Sequence, residues 1–342
     1  MRIDIFGYLA IVFMLTLSSH SFAEGTNLTI YPVPDGEKMS EEFSVWVNDN
    51  PLPVYNKEDV TEEACQQDKK RFGNGGGLYS FAYFDFEGTV EVRIKSRQRL
   101  RDAVIRPLSK KINFEVINDN EISFKLSSPA NLSIEGERPK DGLLLFANPP
   151  CPVPRNKRDP RLVYYGPGIH RPGVIRLKSN QVLYIDGGAI VKAGIVVEGR
   201  NVIIAGRGII DGSFCNWPNN PAKERGFINI VNSSGVKMSG VIVRASPCWT
   251  IVPMHSSNIS FSNIKICNSR VENDDGIDPC NSQRIVVDNC FFRTDDDCMA
   301  FKGWAYPEKG SANSNVENIT VKRSVFWCDR ARIFLLGHES RA

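Results

Sequence analysis

The chain has 342 residues, of which 42% are hydrophobic and 24% charged, a composition that is ordinary for a globular protein and excludes wholesale disorder. The net charge is only +3, and no run of Lys and Arg forms a basic stripe, so we expect no binding to nucleic acid. A chain of this length has room for roughly two domains.

The N terminus has the pattern of a secretory signal peptide. Arg2 precedes an apolar run over residues 5–17, and a small-x-small site follows it and ends at Ala23. We therefore expect residues 1–23 to be removed and the remaining chain to be secreted or periplasmic, without insertion into a membrane. The alternative, an uncleaved anchor helix, is disfavoured because the apolar run is too short to span a bilayer comfortably.

Residues 24–150 are predicted to form a small β-sandwich that serves as an accessory domain. Alternating apolar and polar residues mark short strands, with turn signals between them, at residues 81–86, 89–94, 112–116 and 122–126. We find no catalytic constellation in this part of the chain. The proline-rich segment 148–154 indicates a stiff linker, so the second domain is predicted over residues 151–342.

From about residue 160 the sequence repeats. Four short strands have the same internal pattern, in which apolar residues recur mainly five and seven positions after the opening residue; the openings are Val236, Ile259, Ile285 and Ile319. Earlier copies open at Val182 and Val202. This self-similarity has no helical period, so it predicts a parallel β-helix, whose stacked coils bury one continuous core. A second β-sandwich would not predict the same internal offsets in four successive units.

Two segments rich in Asp lie one coil apart, at residues 273–278 and 294–302. Stacking Ile277 on Met299 would place the carboxylates of Asp275 and Asp297 side by side, about 4.8 Å apart. The crowded acidic residues are Asp274, Asp275, Asp278, Asp295, Asp296 and Asp297. Crowding should raise at least one pKa, and carboxyls with separated pKa values are what glycosidic bond cleavage requires.

Two other interpretations of the Asp-rich segments remain open. The carboxylates could form a calcium site, because calcium prefers hard oxygen ligands, or they could be a solvated turn face. Strict strand alternation would point Asp296 away from Asp295 and Asp297, so the catalytic interpretation requires a bulge or turn there. No CxxC or HExxH spacing accompanies the nine cysteines and four histidines, so we expect no zinc site. On the catalytic interpretation we expect no metal and no cofactor.

At these two segments the chain resembles the family 28 glycoside hydrolases, the polygalacturonase family. The family motifs are Asn-Thr-Asp-Gly-x-Asp and, one coil later, Gly-Asp-Asp-Cys-x-Ala-x-Lys; residues 206–212 also resemble an early coil of that family. The resemblance covers about residues 160–342. It implies an all-β chain built on a right-handed parallel β-helix. It also implies an inverting hydrolase whose partner is its substrate, a pectin-like polysaccharide.

The resemblance also implies roles for particular residues. Asp296 would be the general acid, while Asp275 and Asp297 would hold and deprotonate the attacking water, with about 6.5–9.5 Å between acid and base. Asp278 would orient the other carboxyls. Lys302 closes the second motif and is a predicted substrate-binding residue.

The chain departs from the family pattern in several places. Asp274 replaces Thr and Asp295 replaces Gly, which adds negative charge to the site. The offset that separates Ile285 from Ile319, counted onward from Asp297, puts Arg330 and Ala331 where the family has its Gly-His-Gly histidine. His338 comes later than that position, and we expect equally a substrate contact or a polar residue at a coil corner.

The family's Arg-x-Lys has no counterpart before Ala342, and we expect the β-helix to be incomplete at its C-terminal end. Arg330 and Arg332, the latter expected in phase with Cys298 or Met299, are candidates to bind an acidic sugar instead. Alternatively, they only balance the charge of the aspartates. The competing functions are a dextranase-like hydrolase of the same architecture, a calcium-dependent pectate lyase and a non-catalytic polysaccharide-binding β-helix.

Overall fold

A computed structural model describes residues 27–57, 77–216, 226–303, 315–337 and 340. The predicted signal peptide at residues 1–23 lies outside them. The described residues form 29 β-strands and two short 3-10 turns, Leu108–Lys110 and Pro139–Asp141, without any α-helix. Over the same ranges we find no helix long and apolar enough to cross a membrane.

The first eleven strands form two sheets. Their bounds are β1 Asn27–Thr29, β2 Phe43–Val47, β3 Asn50–Leu52, β4 Tyr55–Asn56, β5 Ser80–Glu87, β6 Val90–Ser96, β7 Val104–Arg106, β8 Phe114–Asn118, β9 Glu121–Leu126, β10 Ala130–Glu135 and β11 Leu143–Asn148. One sheet has the order β3-β2-β6-β9-β8, and the other has the order β1-β5-β11-β10-β7 with β4 beside β5. Most pairs are antiparallel, and β5 and β11 run parallel.

The two sheets share one apolar core. Along β6 the side chains of Val90, Val92 and Ile94 are buried, because a strand turns alternate residues to the same face. They pack in one cluster with residues of the other sheet, including Leu132 and Leu145. We call residues 27–57 and 77–148 the two-sheet unit; its independence as a domain bounded at residue 150 stays a prediction.

The remaining strands wind into a parallel β-helix. Their bounds are β12 Leu162–Tyr165, β13 Gly168–Leu177, β14 Val182–Ile185, β15 Ala189–Val197, β16 Ile203–Gly206, β17 Ile209–Asp211, β18 Ile228–Val231, β19 Lys237–Ser239, β20 Ile242–Arg244, β21 Ile251–Met254, β22 Ser257–Ser262, β23 Lys265–Cys267, β24 Gln283–Asp288, β25 Phe291–Thr294, β26 Met299–Phe301, β27 Glu317–Lys322, β28 Val325–Cys328 and β29 Phe334–Leu336. Each strand pairs in parallel with its equivalent in the next coil.

The coils have three faces. The first is the sheet β12-β14-β16-β19-β22-β24-β27. The second runs from the early part of β15 through β17, β20, β23, β25 and β28, and the third from the late part of β15 through β18 and β21. Bridges at Ile277 continue the third face to β26, which pairs with β29. The fold is therefore the predicted parallel β-helix.

The repeat predicted from the sequence matches the observed register. Ile259, Ile285 and Ile319 are paired in one column, and Val236 is buried in the same core. The earliest copy was misplaced by one residue, because Val182 pairs with Ile203 and not with Val202. In that coil Gln181 takes the opening position, where its side-chain oxygen accepts a hydrogen bond from Lys178 N at 2.7 Å and closes the preceding turn.

Left-handed turn residues keep the first and second faces in register. Asn263, Asn289 and Arg323 occupy equivalent corners of successive coils with φ of 53°, 54° and 52°. Asn adopts this backbone region more readily than most residues, because its short side chain bonds locally. The backbone N–H groups of Asn263 and Asn289 each donate to a backbone carbonyl of the next coil, at 3.0 and 3.1 Å, so the corners stack in the same way as the strands.

The two-sheet unit covers the second face of the β-helix. The outward side chains Ile190, Ile209, Ile242 and Phe291 pack in one buried cluster with aromatic residues of the two-sheet unit such as Phe146. Strands buried on both sides are expected to have apolar residues on both faces, and β17, β20 and β25 each begin with two adjacent buried apolar residues. Buried ion pairs flank the cluster: Arg207 with Asp85, and Arg244 with both Asp211 and Glu37.

Two neighbouring valines of β24 test the stacked core. Val287 is fully buried and Val286 is 36% exposed. We expect Val287→Ala to lower the free energy of unfolding by about 2 kcal/mol, from two lost methyl groups and the cavity left behind. Val286→Ala, the matched control, should cost less than about 1 kcal/mol. Denaturant melts measure both, and equal losses would contradict the assigned register.

Candidate active site

The two Asp-rich segments meet where the third face begins. Ile277 bridges to Ile251 on one side and to Met299 on the other, so the predicted stacking of Ile277 on Met299 is confirmed. Gly276 N donates to Asp297 O at 2.9 Å. A Cβ on Gly276 would lie 2.4 Å from Cys298 O, so glycine is required for the two coils to approach this closely.

A turn separates β25 from β26 and breaks the strand alternation. β25 ends at Thr294 and β26 begins at Met299, which leaves residues 295–298 outside both strands. Asp297 N donates to Asp296 Oδ1 at 2.9 Å within this turn. Asp296 and Asp297 therefore both face one cavity, as the catalytic interpretation required.

The cavity holds about 150 Å³ and contains three of the six aspartates. Its lining residues are Trp249, Asn273, Asp275, Asp296, Asp297, Lys302, Arg332 and Leu335. A larger depression of about 610 Å³ lies at β8 and β9 of the two-sheet unit and is lined by lysines, serines and two glutamates. That depression lacks a comparable cluster of carboxylates, so the chemistry belongs to the smaller cavity.

The three carboxylates of the cavity converge. Asp275, Asp296 and Asp297 each contribute one oxygen, and these oxygens lie within 4.8 Å of one another. These oxygen–oxygen distances are shorter than the separation of about 6.5–9.5 Å between acid and base groups that the family resemblance implied. Coil stacking sets Asp275 beside Asp297, and the turn then brings Asp296 against the same pair.

Burial, more than crowding, perturbs the acidity of this cluster. The pKa of Asp296 is raised to about 6, mainly by burial and next by the adjacent charge of Asp297. Burial also raises the pKa of Asp275 well above its usual range, with Asp278 as the next cause. The pKa of Asp278 rises to about 8, again through burial, against the opposing charge of Lys302. The expected increase is present, and its main cause is loss of water.

The two aspartates that distinguish this chain from the family motifs do not face the cavity. Asp274 is fully buried, and its carboxylate oxygens accept backbone amides. Asp295 lies beside Arg330, whose Nε is 2.9 Å from Asp295 Oδ2. The expectation that both would add charge to the substrate side was therefore wrong.

Lys302 and Trp249 form one wall of the cavity. Lys302 Nζ lies 3.8 Å from Asp275 Oδ2 and 3.6 Å from the centre of the Trp249 ring. A cation held against an aromatic face and a carboxylate has few other orientations open to it. We did not predict Trp249, because it belongs to the preceding coil, and only the coil register shows that it meets the second motif.

The two candidate arginines have different surroundings. Arg330 contacts Asp295 and also Glu272, at 3.4 Å, which matches the charge-balancing alternative. Arg332 N donates to Asp297 Oδ1 at 3.0 Å, and its side chain is 64% exposed and lines the cavity.

The expected phase of the arginines was wrong by one or two residues. Phe292 pairs with Phe326, and Met299 pairs with Phe334, so the offset between partners is one residue larger in the second pair. The turn after β28 is thus one residue longer than the equivalent turn after β25, and this extra residue aligns Arg332 with Asp297. Arg332, not Arg330 or Ala331, holds the position predicted for the counterpart of the family histidine. His338 lies outside the described residues.

The pKa of Asp278 predicts how stability depends on pH. Because the folded pKa of about 8 exceeds the unfolded value near 3.9, the folded state holds a proton that the unfolded state has released, and stability falls as pH rises between them. We expect Asp278→Asn to reduce the fall in Tm between pH 5 and pH 8. Asp288→Asn, at a partly exposed carboxylate whose pKa is lowered by Arg323, should keep the wild-type slope over this pH range. An unchanged slope in Asp278→Asn would refute the assignment.

Known proteins resemble this chain in sequence and in fold. The family described as glycosyl hydrolases family 28 matches residues 186–323, which contain both Asp-rich segments. An exopolygalacturonase of Cochliobolus carbonum is 28% identical over 136 residues, covering 37% of this chain and 29% of that protein. A Vitis vinifera protein described as "Probable polygalacturonase" is 28% identical over 116 residues, covering 33% and 23%.

Similarity in fold extends over more of the chain than similarity in sequence. Dex49A from Penicillium minioluteum superposes with a TM-score of 0.62 at 16% identity, over 86% of this chain and 72% of that one. The chain spans at most about a third of the length of the curated relatives it matches. The resemblance that the two Asp motifs indicated is confirmed: residues 186–323 match the glycosyl hydrolases family 28 model, and this segment contains both motifs.

Proposed function

We propose that this protein hydrolyses the glycosidic bonds of a pectin-like polysaccharide. The observation that carries the proposal is the cavity in which Asp275, Asp296 and Asp297 converge, with the pKa of Asp296 raised to about 6. The exopolygalacturonase among the relatives supports a galacturonan as substrate. The predicted signal peptide supports action outside the cytoplasm, where such polymers are found.

In the proposed reaction Asp296 is the general acid. Of the three carboxyls in the cavity it is the most exposed, and a pKa of about 6 keeps it protonated in mildly acidic solution. Its proton passes to the glycosidic oxygen as the bond from that oxygen to the anomeric carbon breaks. The leaving chain thus departs as a neutral alcohol, which lowers the barrier to cleavage.

Asp275 and Asp297 hold the attacking water in the same proposal. Carboxylate oxygens within 4.8 Å of each other can both accept from a single water, since each hydrogen bond needs about 2.7–2.8 Å. Lys302 favours the ionised form of Asp275, and Arg332 N donates to Asp297. The water oxygen bonds to the anomeric carbon and its proton passes to this pair, so the product has inverted configuration.

The short distances between the carboxylate oxygens are also compatible with a second stereochemical course, retention of configuration. A separation of about 5–5.5 Å is typical of retaining glycosidases, in which one carboxylate attacks the sugar directly. We favour inversion because two carboxylates, not one, can share the water. Proton NMR of the first products separates the two courses: inversion gives the opposite anomer at once, and a retained anomer would contradict our proposal.

The charge balance of the cavity favours a neutral glucan as the alternative substrate. Three carboxylates line the cavity against two cations, and Lys302 is already held by Asp275 and Trp249. Arg332 is thus the cation best exposed to bind an acidic sugar, through its planar guanidinium. A dextranase-like activity on the same architecture would not need it.

Three substitutions test the assigned roles. We expect Asp296→Asn, Asp275→Asn and Asp297→Asn each to lower kcat by at least about 1,000-fold, because each removes a proton transfer or the water contact. Wild-type activity should follow a bell in pH, with the descending limb near pH 6 set by Asp296. Asp288→Asn, far from the cavity, is the control for the same chemical change. Substantial turnover by Asp296→Asn would exclude it as the acid.

The two arginines provide a matched test of substrate charge. On polygalacturonate we expect Arg332→Ala to raise KM by about tenfold, the equivalent of losing one charged hydrogen bond. Arg330→Ala should change KM by less than about twofold, because Arg330 binds Asp295 and Glu272 outside the cavity. Greater wild-type turnover of dextran than of polygalacturonate, unaffected by Arg332→Ala, would favour the neutral glucan.

A calcium-dependent lyase is the third candidate, because three converging carboxylate oxygens also suit a divalent cation. We expect full activity in excess EDTA and no increase in ultraviolet absorbance from unsaturated products. Loss of activity in EDTA that calcium restores, together with that absorbance, would replace the hydrolase by a lyase. Tight binding of polymer without any cleavage would instead support a non-catalytic β-helix.

A further inference from the structure

One carboxylate beside the candidate active site faces away from the cavity and joins both of its turns. Asp274 precedes Asp275 and is fully buried. Its Oδ2 accepts the backbone N–H of Arg270 at 2.6 Å and that of Val271 at 3.3 Å. Both amides belong to the loop that leads into Asp275.

The other oxygen of Asp274 binds the next coil. Oδ1 accepts the N–H of Asp295 at 2.7 Å and that of Asp296 at 3.4 Å, in the turn that presents the proposed general acid. A single carboxylate thus accepts four amides from two segments that belong to successive coils. Burial raises the pKa of Asp274, and the amides act against that shift because they favour the ionised form.

These amides need a side-chain acceptor because the strand ladder is interrupted at this point. β23 ends at Cys267 and β24 begins at Gln283, while β25 ends at Thr294, so the four amides that Asp274 accepts belong to residues outside the strands. Burying a backbone N–H without a partner costs free energy, so an acceptor that satisfies four of them strongly restricts the loop. Asp274 replaces ladder bonds at the place where the site is built.

Side-chain hydrogen bonds also fix the beginning of the loop that leads into Asp275. The Asn268 side chain donates to Thr250 Oγ1 at 2.5 Å and to Asp274 O at 3.4 Å. The hydroxyl of Tyr79, in the two-sheet unit, donates to Asn268 O at 2.6 Å. The segment that carries Asp275 is therefore fixed at both ends, and Asp274 is its link to the opposite turn.

We propose that Asp274 is a positioning residue that sets the separation between Asp275 and Asp296. The inference rests on the proposed hydrolase function and adds a role for the residue at which this chain departs from the Asn-Thr-Asp-Gly-x-Asp motif. A Thr hydroxyl has one oxygen and cannot span both turns in this way, whereas a carboxylate offers two. Asp274 acts through the backbone and does not touch substrate.

Asp274→Asn is the first test, because it preserves volume but keeps only one acceptor oxygen and turns an NH2 group toward two amides. We expect hydrogen exchange of peptides covering residues 268–276 and 293–298 to accelerate by at least about tenfold. We expect kcat to fall by about 10–100-fold, since a misplacement of about 1 Å can cost that much, and KM to change by less than about threefold. Asp288→Asn, the same chemical change at a partly exposed residue outside both turns, should alter none of these values.

The folding of each variant is controlled separately. The melting temperature of each variant is measured first, and all assays are run well below it, so that only folded protein is compared. Wild-type kcat with a lowered Tm would mean that Asp274 is only structural and would overturn the proposal. If the wild type cleaves no polysaccharide, the proposed function fails, while unchanged exchange in Asp274→Asn separately refutes the link between the turns.

Discussion

The site depends on the stacking of successive coils at the spacing of hydrogen-bonded strands. That spacing is about 4.8 Å and leaves little freedom, because each strand pairs with its equivalent on both sides. Asp275 and Asp297, which belong to successive coils, become neighbours as a result. The same constraint explains why Gly276 is required, since any side chain there would collide with the carbonyl of Cys298.

Stacking also brings carboxylates into a place where they would repel one another and lose water. The chain lowers that cost by giving each a different surrounding: Asp275 has Lys302 nearby, Asp295 has Arg330, and Asp274 has backbone amides. Asp278 has a pKa of about 8, so it is mostly uncharged at neutral pH. Asp275, Asp296 and Asp297 remain facing the cavity, and the raised pKa of Asp296, about 6, suits a group that donates a proton.

The two-sheet unit contributes to this site without lining it. It covers the second face of the β-helix with aromatic side chains and anchors the cover by Arg244, which is fully buried between Glu37 and Asp211. Removing one partner from such a group costs about 3–5 kcal/mol, because an unpaired buried charge is left behind. Through Tyr79 it also reaches the loop that carries Asp275, which ties the stability of the cover to the geometry of the cavity.

The β-helix and its register could be predicted from the sequence because buried apolar residues recur with constant offsets inside each coil. Errors arose in two places: the polar residue Gln181 occupies the opening position of the first coil, and one additional residue after β28 aligns Arg332 with Asp297. Trp249 and the amide contacts of Asp274 were not predictable, because they depend on which turn residues point inward. The cause of the pKa shifts was also missed, since burial cannot be read from the spacing of charges.

Cleavage of an oligogalacturonate in water enriched in oxygen-18 tests the central claim most directly, namely that the stacked carboxyls add water across a glycosidic bond. The account predicts one labelled oxygen at each new reducing end, found by mass spectrometry, with no product lighter than the hydrolysis product by the mass of one water. Unlabelled products that carry a double bond would show elimination, and they would contradict the roles given to Asp275, Asp296 and Asp297.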